Sequence, residues 1–249
     1  MTDHERRVAI VTGGARGIGR AIVERLLATG HRVTVVDVNE KAIASLAEMR
    51  DDDRALVDGV CGSILDRPAM QRLVDDLLAR HGRIDALVNN AGMTLPATFL
   101  DQRDDDWDHI VDTNLKGAFV MSQIAARAMV ARGSGAIVHI SSISAHGVRT
   151  GPPAYAAAKA GVEGLGRLMA VQLGPHGVRV NTVVVGTTAT PWLLGRKSEP
   201  ELDEMRACTV SGRLGEPDDV GATVAFLCSD DARHVTGQLI SVSGGQWLP

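Results

Sequence analysis

Seven short runs of β-branched and other apolar residues recur along this chain, and longer stretches with apolar stripes at helical spacing separate them. The runs are RVAIVT (7–12), RVTVVD (32–37), RALVDGV (54–60), RIDALVN (83–89), GAIVHIS (135–141), GVRVNTVVV (177–185) and QLISVS (238–243). They are apolar nearly throughout, which suits strands covered on both faces, as in a parallel sheet. Stretches 17–29, 40–49, 66–80, 106–131, 153–173 and 216–228 read as helices. In the first, Ile18, Ile22 and Leu26 recur at spacing four and turn one apolar stripe toward a sheet. Strand alternating with helix implies right-handed crossovers and a doubly wound α/β fold. The 249 residues, without internal repeats, fit one domain over 1–249. The exception is about 186–215, rich in Gly, Pro and mixed charge, which predicts a lid without regular structure.

Composition narrows the partners. A net charge of −4 leaves no basic footprint for nucleic acid, and no apolar run approaches the ~18 residues of a membrane span. The N-terminal stretch MTDHERRVAIVTGGARG breaks into glycines too soon for a signal peptide. Cys61, Cys208 and Cys228 are widely separated and lack CxxC spacing, so reduced thiols in a cytoplasmic protein are expected, with neither disulfides nor a metal site.

Between the first strand and first helix lies TGGARGIG (12–19). Gly13 and Gly14 permit a tight turn, Gly17 and Gly19 allow backbone to approach a diphosphate, and the N–H groups from Ile18 onward face the anion. Asp37 ends the second strand. A carboxylate there accepts hydrogen bonds from ribose hydroxyls and repels a 2′-phosphate, which favours NAD over NADP. The lesser alternative is that Asp37 or Asn39 caps the next helix; Arg16 is a cation that could meet a 2′-phosphate, but a buried like-charge clash at Asp37 outweighs one exposed Arg.

Ser142 closes the fifth strand, at the edge where α/β sheets bind ligands. The only tyrosine, Tyr155, follows near the start of a helix, with Lys159 at i+4 on the same face. A phenol of pKa ~10 is a poor base at neutral pH. An adjacent ammonium, with a positive nicotinamide ring nearby, is expected to lower that value, and Ser142 to hold a substrate oxygen against the phenol.

TGGARGIG, NNAG (89–92), Asn114 within DTNLKG, Ser142 and YAAAK (155–159) together resemble the short-chain dehydrogenase/reductase family from residue 7 to about 245. The resemblance implies a Rossmann-type doubly wound seven-stranded parallel sheet with helices on both faces, and hydride transfer between NAD(P) and a hydroxyl or carbonyl compound. It makes Tyr155 the acid/base, Ser142 the donor to the substrate oxygen, and Lys159 the group that tunes Tyr155 and holds the nicotinamide ribose. Asn114 would hold a helix irregularity and a relay water. Asn89, Asn90, Ala91 and Gly92 would line the adenosine side and steady the sheet. Gly186, Thr188 and Thr190 would meet the nicotinamide. Val185 stands where the family has proline, which removes a fixed φ from that turn. Ser63 replaces an acid, leaving the adenine to it and to the Ile64 backbone.

Met93, Leu95, Ser144, Trp192, Leu193, Leu194 and Met205 are candidate substrate walls. His146 is placed either to touch substrate or to lie on the loop surface, and His139 is expected in the core. Small residues on helices 106–131 and 153–173, with Trp247 read as exposed, point to a homotetramer. The expectation is an NAD-dependent oxidoreductase interconverting a secondary alcohol and its ketone. Its alternatives are an NADPH-dependent 3-oxoacyl-type ketoreductase and a non-catalytic dinucleotide-binding sensor.

Overall fold

The computed structural model describes residues 6–49, 51–147 and 151–248; residues 1–5 of the stretch read for a signal lie outside these. In chain order, the described residues form β1 (Val8–Thr12), α1 (Gly17–Ala28), β2 (Arg32–Asp37), α2 (Glu40–Ala44), α3 (Asp51–Arg54), β3 (Val57–Cys61), α4 (Arg67–His81) and β4 (Ala86–Asn89). There follow α5 (Asp104–Val111), α6 (Gly117–Arg132), β5 (Gly135–Ser142), α7 (Pro153–Leu173), β6 (Val178–Val185), α8 (Pro191–Leu194), α9 (Glu199–Ala207), α10 (Pro217–Cys228) and β7 (Leu239–Val242). Seven strands make one sheet in the order β3-β2-β1-β4-β5-β6-β7, every pair parallel.

Period-two alternation splits the core between the two faces of the sheet. Ala9 and Val11 of β1 pack with α1 and α10, through Ile22, Leu26, Val220 and Val224. Val8 and Ile10 point the other way, toward Met70, Val74 and Leu77 of α4 and Met121, Ile124 and Met129 of α6. The Ile22–Leu26 stripe is fully buried, whereas Ile18 is only partly so. On the first face a Cβ at Gly221 of α10 would lie 2.8 Å from the Ala21 carbonyl oxygen, so α1 and α10 are in backbone contact there.

The strand order reverses between β1 and β4, and the carboxyl ends of these strands open the crevice in which α/β sheets bind ligands. Two sequence-based expectations need correction. The helix predicted over 106–131 is two helices joined by a π-helical turn, Asp112–Lys116. The 186–215 segment is not free of regular structure: it holds α8 and α9, and its ends are pinned by Ala189 N–H to Gly215 O at 2.7 Å and Gly215 N–H to Thr187 O at 3.0 Å.

Candidate active site

At the end of β1 the chain turns through Gly13 and Gly17, whose φ values of +62° and +56° L side chains rarely adopt. A Cβ at Gly19 would sit 2.0 Å from the Gly13 carbonyl oxygen, so helix and loop are packed backbone on backbone. The NNAG stretch clamps this loop from β4. Asn90 Nδ2 donates to Thr12 O at 3.1 Å and Gly13 O at 2.8 Å, while Asn90 and Ala91 N–H both donate to Thr12 Oγ1. Asn89 is buried, donating to Ser122 Oγ at 2.8 Å and lying 3.2 Å from His139 Nδ1, so it ties β4 to α6 and β5 and steadies the sheet.

α1 starts at Gly17 with no side-chain cap from Arg16, which is exposed; its first N–H groups are therefore available to an anion. Asp37 is buried at 8% exposure. One carboxylate oxygen accepts from Ala15 N–H of the glycine loop at 3.4 Å and the other from Asn39 N–H at 3.0 Å. The helix cap is Asn39, which takes Ala42 N–H at 2.9 Å, so Asp37 is not that cap. Beyond β3, Ile64 is buried against Gly117, whereas exposed Ser63 accepts from Leu65 N–H at 3.2 Å. A Cβ on Gly17 would lie 3.8 Å from Thr190 Cγ2, so the turn after β6 crosses the glycine loop. Thr188 donates to Gly186 O at 3.1 Å, and Thr190 caps α8.

Ser142, Tyr155, Lys159 and Asn114 converge beside this cleft. Lys159 is 4% exposed; its ammonium donates to Ile140 O at 2.9 Å and lies 5.5 Å from the Tyr155 ring centroid. Asn114, in the π turn, donates through Nδ2 to Met93 O at 2.8 Å and to Ile110 O at 2.9 Å. Its Oδ1 is buried and has no hydrogen-bond partner. A Cβ on Gly92 would meet Asn114 Oδ1 at 2.5 Å and Lys159 Nζ at 3.3 Å, so only glycine fits between them.

Burial pushes the Tyr155 phenol above its ordinary value, and a hydrogen bond with Ser142 only partly opposes this. Burial likewise pushes the Lys159 ammonium down to about 8. In the protein alone, desolvation therefore disfavours the phenolate.

The proposed substrate walls are only partly gathered. Met93 reaches the site through its carbonyl. Leu95, Leu193 and Met205 are half-buried, Leu194 is exposed, and Trp192 is exposed with the Arg196 guanidinium 4.5 Å above its ring. Ser144 N–H and Oγ are both 3.2 Å from Ser142 Oγ. His146 is neither a free surface residue nor unpartnered: Nε2 lies 3.0 Å from buried Glu163, and its ring stacks on Trp247 at 3.8 Å. Trp247 is accordingly half-buried within its own chain, not exposed as expected. His139 is fully buried.

The tight glycine cradle, uncapped helix start, buried carboxylate and orphaned Asn114 oxygen fit a nicotinamide dinucleotide. A family profile described as "Enoyl-(Acyl carrier protein) reductase" matches residues 13–246. The chain belongs to the short-chain dehydrogenase/reductase family. It is therefore an oxidoreductase of a family that uses NAD(P).

Among its relatives in this family is a 3-oxoacyl-acyl-carrier-protein reductase, FabG, of Thermotoga maritima, 34% identical over 241 residues, 97% of this chain and 98% of the relative. A (3R)-3-hydroxyacyl-CoA dehydrogenase of Mus musculus is 37% identical over 250 residues, 97% and 96% of the two chains. The crystal structure of a putative gluconate dehydrogenase from Agrobacterium tumefaciens superposes with a TM-score of 0.91 at 30% identity, covering 96% of this chain and 95% of that one.

Sequence reasoning missed Thr12, Glu163 and Gln246. Thr12 carried a weak signal, being the one hydroxyl at the strand end before the glycines. Glu163 lies one turn beyond Lys159, on the helix face already assigned to chemistry.

Proposed function

We propose that this chain is an NAD-dependent oxidoreductase interconverting a secondary alcohol and its ketone. The observation that carries the NAD preference is the buried Asp37 carboxylate at the end of β2, held against the glycine loop through Ala15 N–H. Bringing a 2′-phosphate beside it would set two anions together where water screens them poorly, and exposed Arg16 is a weak counterweight.

Gly13, Gly17, Ile18 and Gly19 would hold the diphosphate, with Asp37 at the adenosine ribose and Ser63 and Ile64 near the adenine. Asn90, Ala91 and Gly92 would back the loop, while Gly186, Thr188, Thr190 and Lys159 would lie at the nicotinamide end. Bound there, the dinucleotide supplies the hydride acceptor or donor. The protein's own work is on the oxygen. The Ser142 hydroxyl donates to the substrate oxygen and orients it toward the Tyr155 phenol. Tyr155 takes the alcohol proton in oxidation and returns it in reduction. The Lys159 cation favours the phenolate during that transfer, and a water on Asn114 Oδ1 would pass the proton onward. Ser144, His146, Met93, Leu95, Trp192 and Leu193 would border the substrate, with 186–215 as lid.

The reading extends to one domain over 1–249, a cytoplasmic setting and a homotetramer; no helix among the described residues is long and apolar enough to cross a membrane. The names of the relatives support a second reading, a 3-oxoacyl-type ketoreductase, for whose use of NADPH exposed Arg16 is the local support. Rates with NAD+ and NADP+ on a secondary-alcohol panel, for the wild type and Asp37→Ser, separate the two. NAD preference lost on substitution is expected, and an indifferent Asp37 would remove the first reading.

A further inference from the structure

The turn after β6 lacks proline at Val185, yet it is not left loose. Gln246 Oε1 accepts the Thr187 N–H at 2.7 Å, and Gln246 Nε2 donates to Thr187 Oγ1 at 3.1 Å. A Cβ on Gly186 would lie 2.6 Å from Ser243 Cα and 2.7 Å from Gln246 Oε1, so the segment after β7 is flush against this turn.

That segment is anchored a second time. Trp247 N–H donates to Ser243 Oγ at 3.3 Å, and the Trp247 carbonyl accepts from Ser241 Oγ at 3.1 Å. Its indole stacks on His146 with planes 12° apart. His146 pairs with Glu163, which is 4% exposed and also accepts Ser141 Oγ at 2.7 Å. Contacts therefore run without a break from Thr187, through Gln246 and Trp247, to the strand end bearing Ser142 and the helix bearing Tyr155 and Lys159.

We infer that Gln246 is a positioning residue for the dinucleotide. Its two bonds to Thr187 replace the rigidity of the missing proline and hold Gly186–Thr190 across the glycine loop, while Trp247 ties that turn to the Ser142 side. The effect on dinucleotide affinity rests on the cofactor reading above; the effect on the turn itself does not.

Two variants and two readouts test it. Gln246→Leu keeps bulk but leaves Thr187 N–H without an acceptor, whereas Gln246→Glu keeps that acceptor and lets the Thr187 hydroxyl turn to donate in place of accepting. Amide exchange over residues 186–190 is followed in the protein alone, and NADH and NADPH affinities are read by fluorescence titration. Losing this half-buried acceptor is expected to speed exchange in 186–190 and to weaken the preferred dinucleotide, each by about tenfold. Exchange in β1, β4 and β5 should be unchanged, and Gln246→Glu should restore protection at 186–190. Unchanged exchange and affinity in Gln246→Leu would overturn the inference. So would exchange accelerated evenly through all strands, which marks a merely structural role, or a Glu variant as unprotected as the Leu variant. If the wild type binds neither dinucleotide, the cofactor reading fails, and the exchange arm still decides whether Gln246 holds the turn.

Discussion

The Lys159 ammonium is tied to the Ile140 carbonyl at 2.9 Å, on the strand that ends in Ser142. A buried cation whose hydrogen bond goes to one carbonyl is held at a cost in stability, and its value of about 8 expresses that cost. Lys159→Met should therefore melt no lower than the wild type at pH 7 while turnover falls by about 10²-fold or more. Calorimetry beside steady-state kinetics checks both halves; a large drop in Tm with activity kept would refute the assignment.

The same ammonium sets a pH limit. Below about 8 Lys159 is charged, and as pH rises through that value the cation facing Tyr155 is lost. Carbonyl reduction should fall with rising pH through this range, because Tyr155, held above its ordinary value, keeps its proton longer than Lys159 does. A kcat/KM profile for ketone reduction that stays flat past pH 9 would count against it.

Tyr155→Phe removes only the hydroxyl. Dinucleotide affinity should stay within about twofold, while turnover drops by roughly 10²–10⁴-fold, the usual contribution of a positioned acid/base. Titration of the variant with NADH distinguishes a lost proton carrier from a lost binding site.

Gly19→Ala places a methyl 2.0 Å from the Gly13 carbonyl oxygen, a contact that backbone rather than a side chain must relieve. Overpacking of this kind costs roughly 1–3 kcal/mol. The expected outcome is a folded protein with its glycine loop displaced and dinucleotide binding largely lost, read by circular dichroism and fluorescence titration.

Acid should unfold the protein in two stages. Burial, with the Lys159 charge adding, holds His139 at about 4 against an ordinary 6.5, so the unfolded chain binds that proton more readily. The neutral His139 contribution is complete above 6.5 and fades as pH falls toward 4. Asp85 follows. Burial acts to raise its carboxyl, but hydrogen bonds from Arg83, Val8 N–H and Arg132 outweigh that and hold it below the usual range. Its stabilisation is therefore present above the carboxylate range and lost at lower pH still. Urea unfolding between pH 7 and 4 should show a slope that His139→Gln flattens; identical slopes would sink the assignment.

The five inner strands were legible because their β-branched runs are covered on both faces, and Tyr155 and Lys159 because i+4 spacing survives any packing. The β3 run was read three residues early: Val57, Asp58 and Val60 are only half-buried in this edge strand, which blurs the apolar signal. α9 had a signal that composition masked, since Glu201 accepts Ser198 N–H at 2.9 Å in capping-box spacing. Glu163 and Gln246 could not be placed, because their partners lie on other elements that only the fold brings near. Spacing likewise reveals the charge beside the Tyr155 phenol but not the desolvation that acts on it.

The π turn at Asp112–Lys116 works as a vernier between α5 and α6. One extra residue rotates everything after it by roughly 100° relative to an unbroken helix. Healing the turn by deleting a residue there would restore regular backbone bonding and swing Asn114 away from Met93 and Lys159. The irregularity therefore fixes angular phase, and a straighter helix here would be a poorer enzyme.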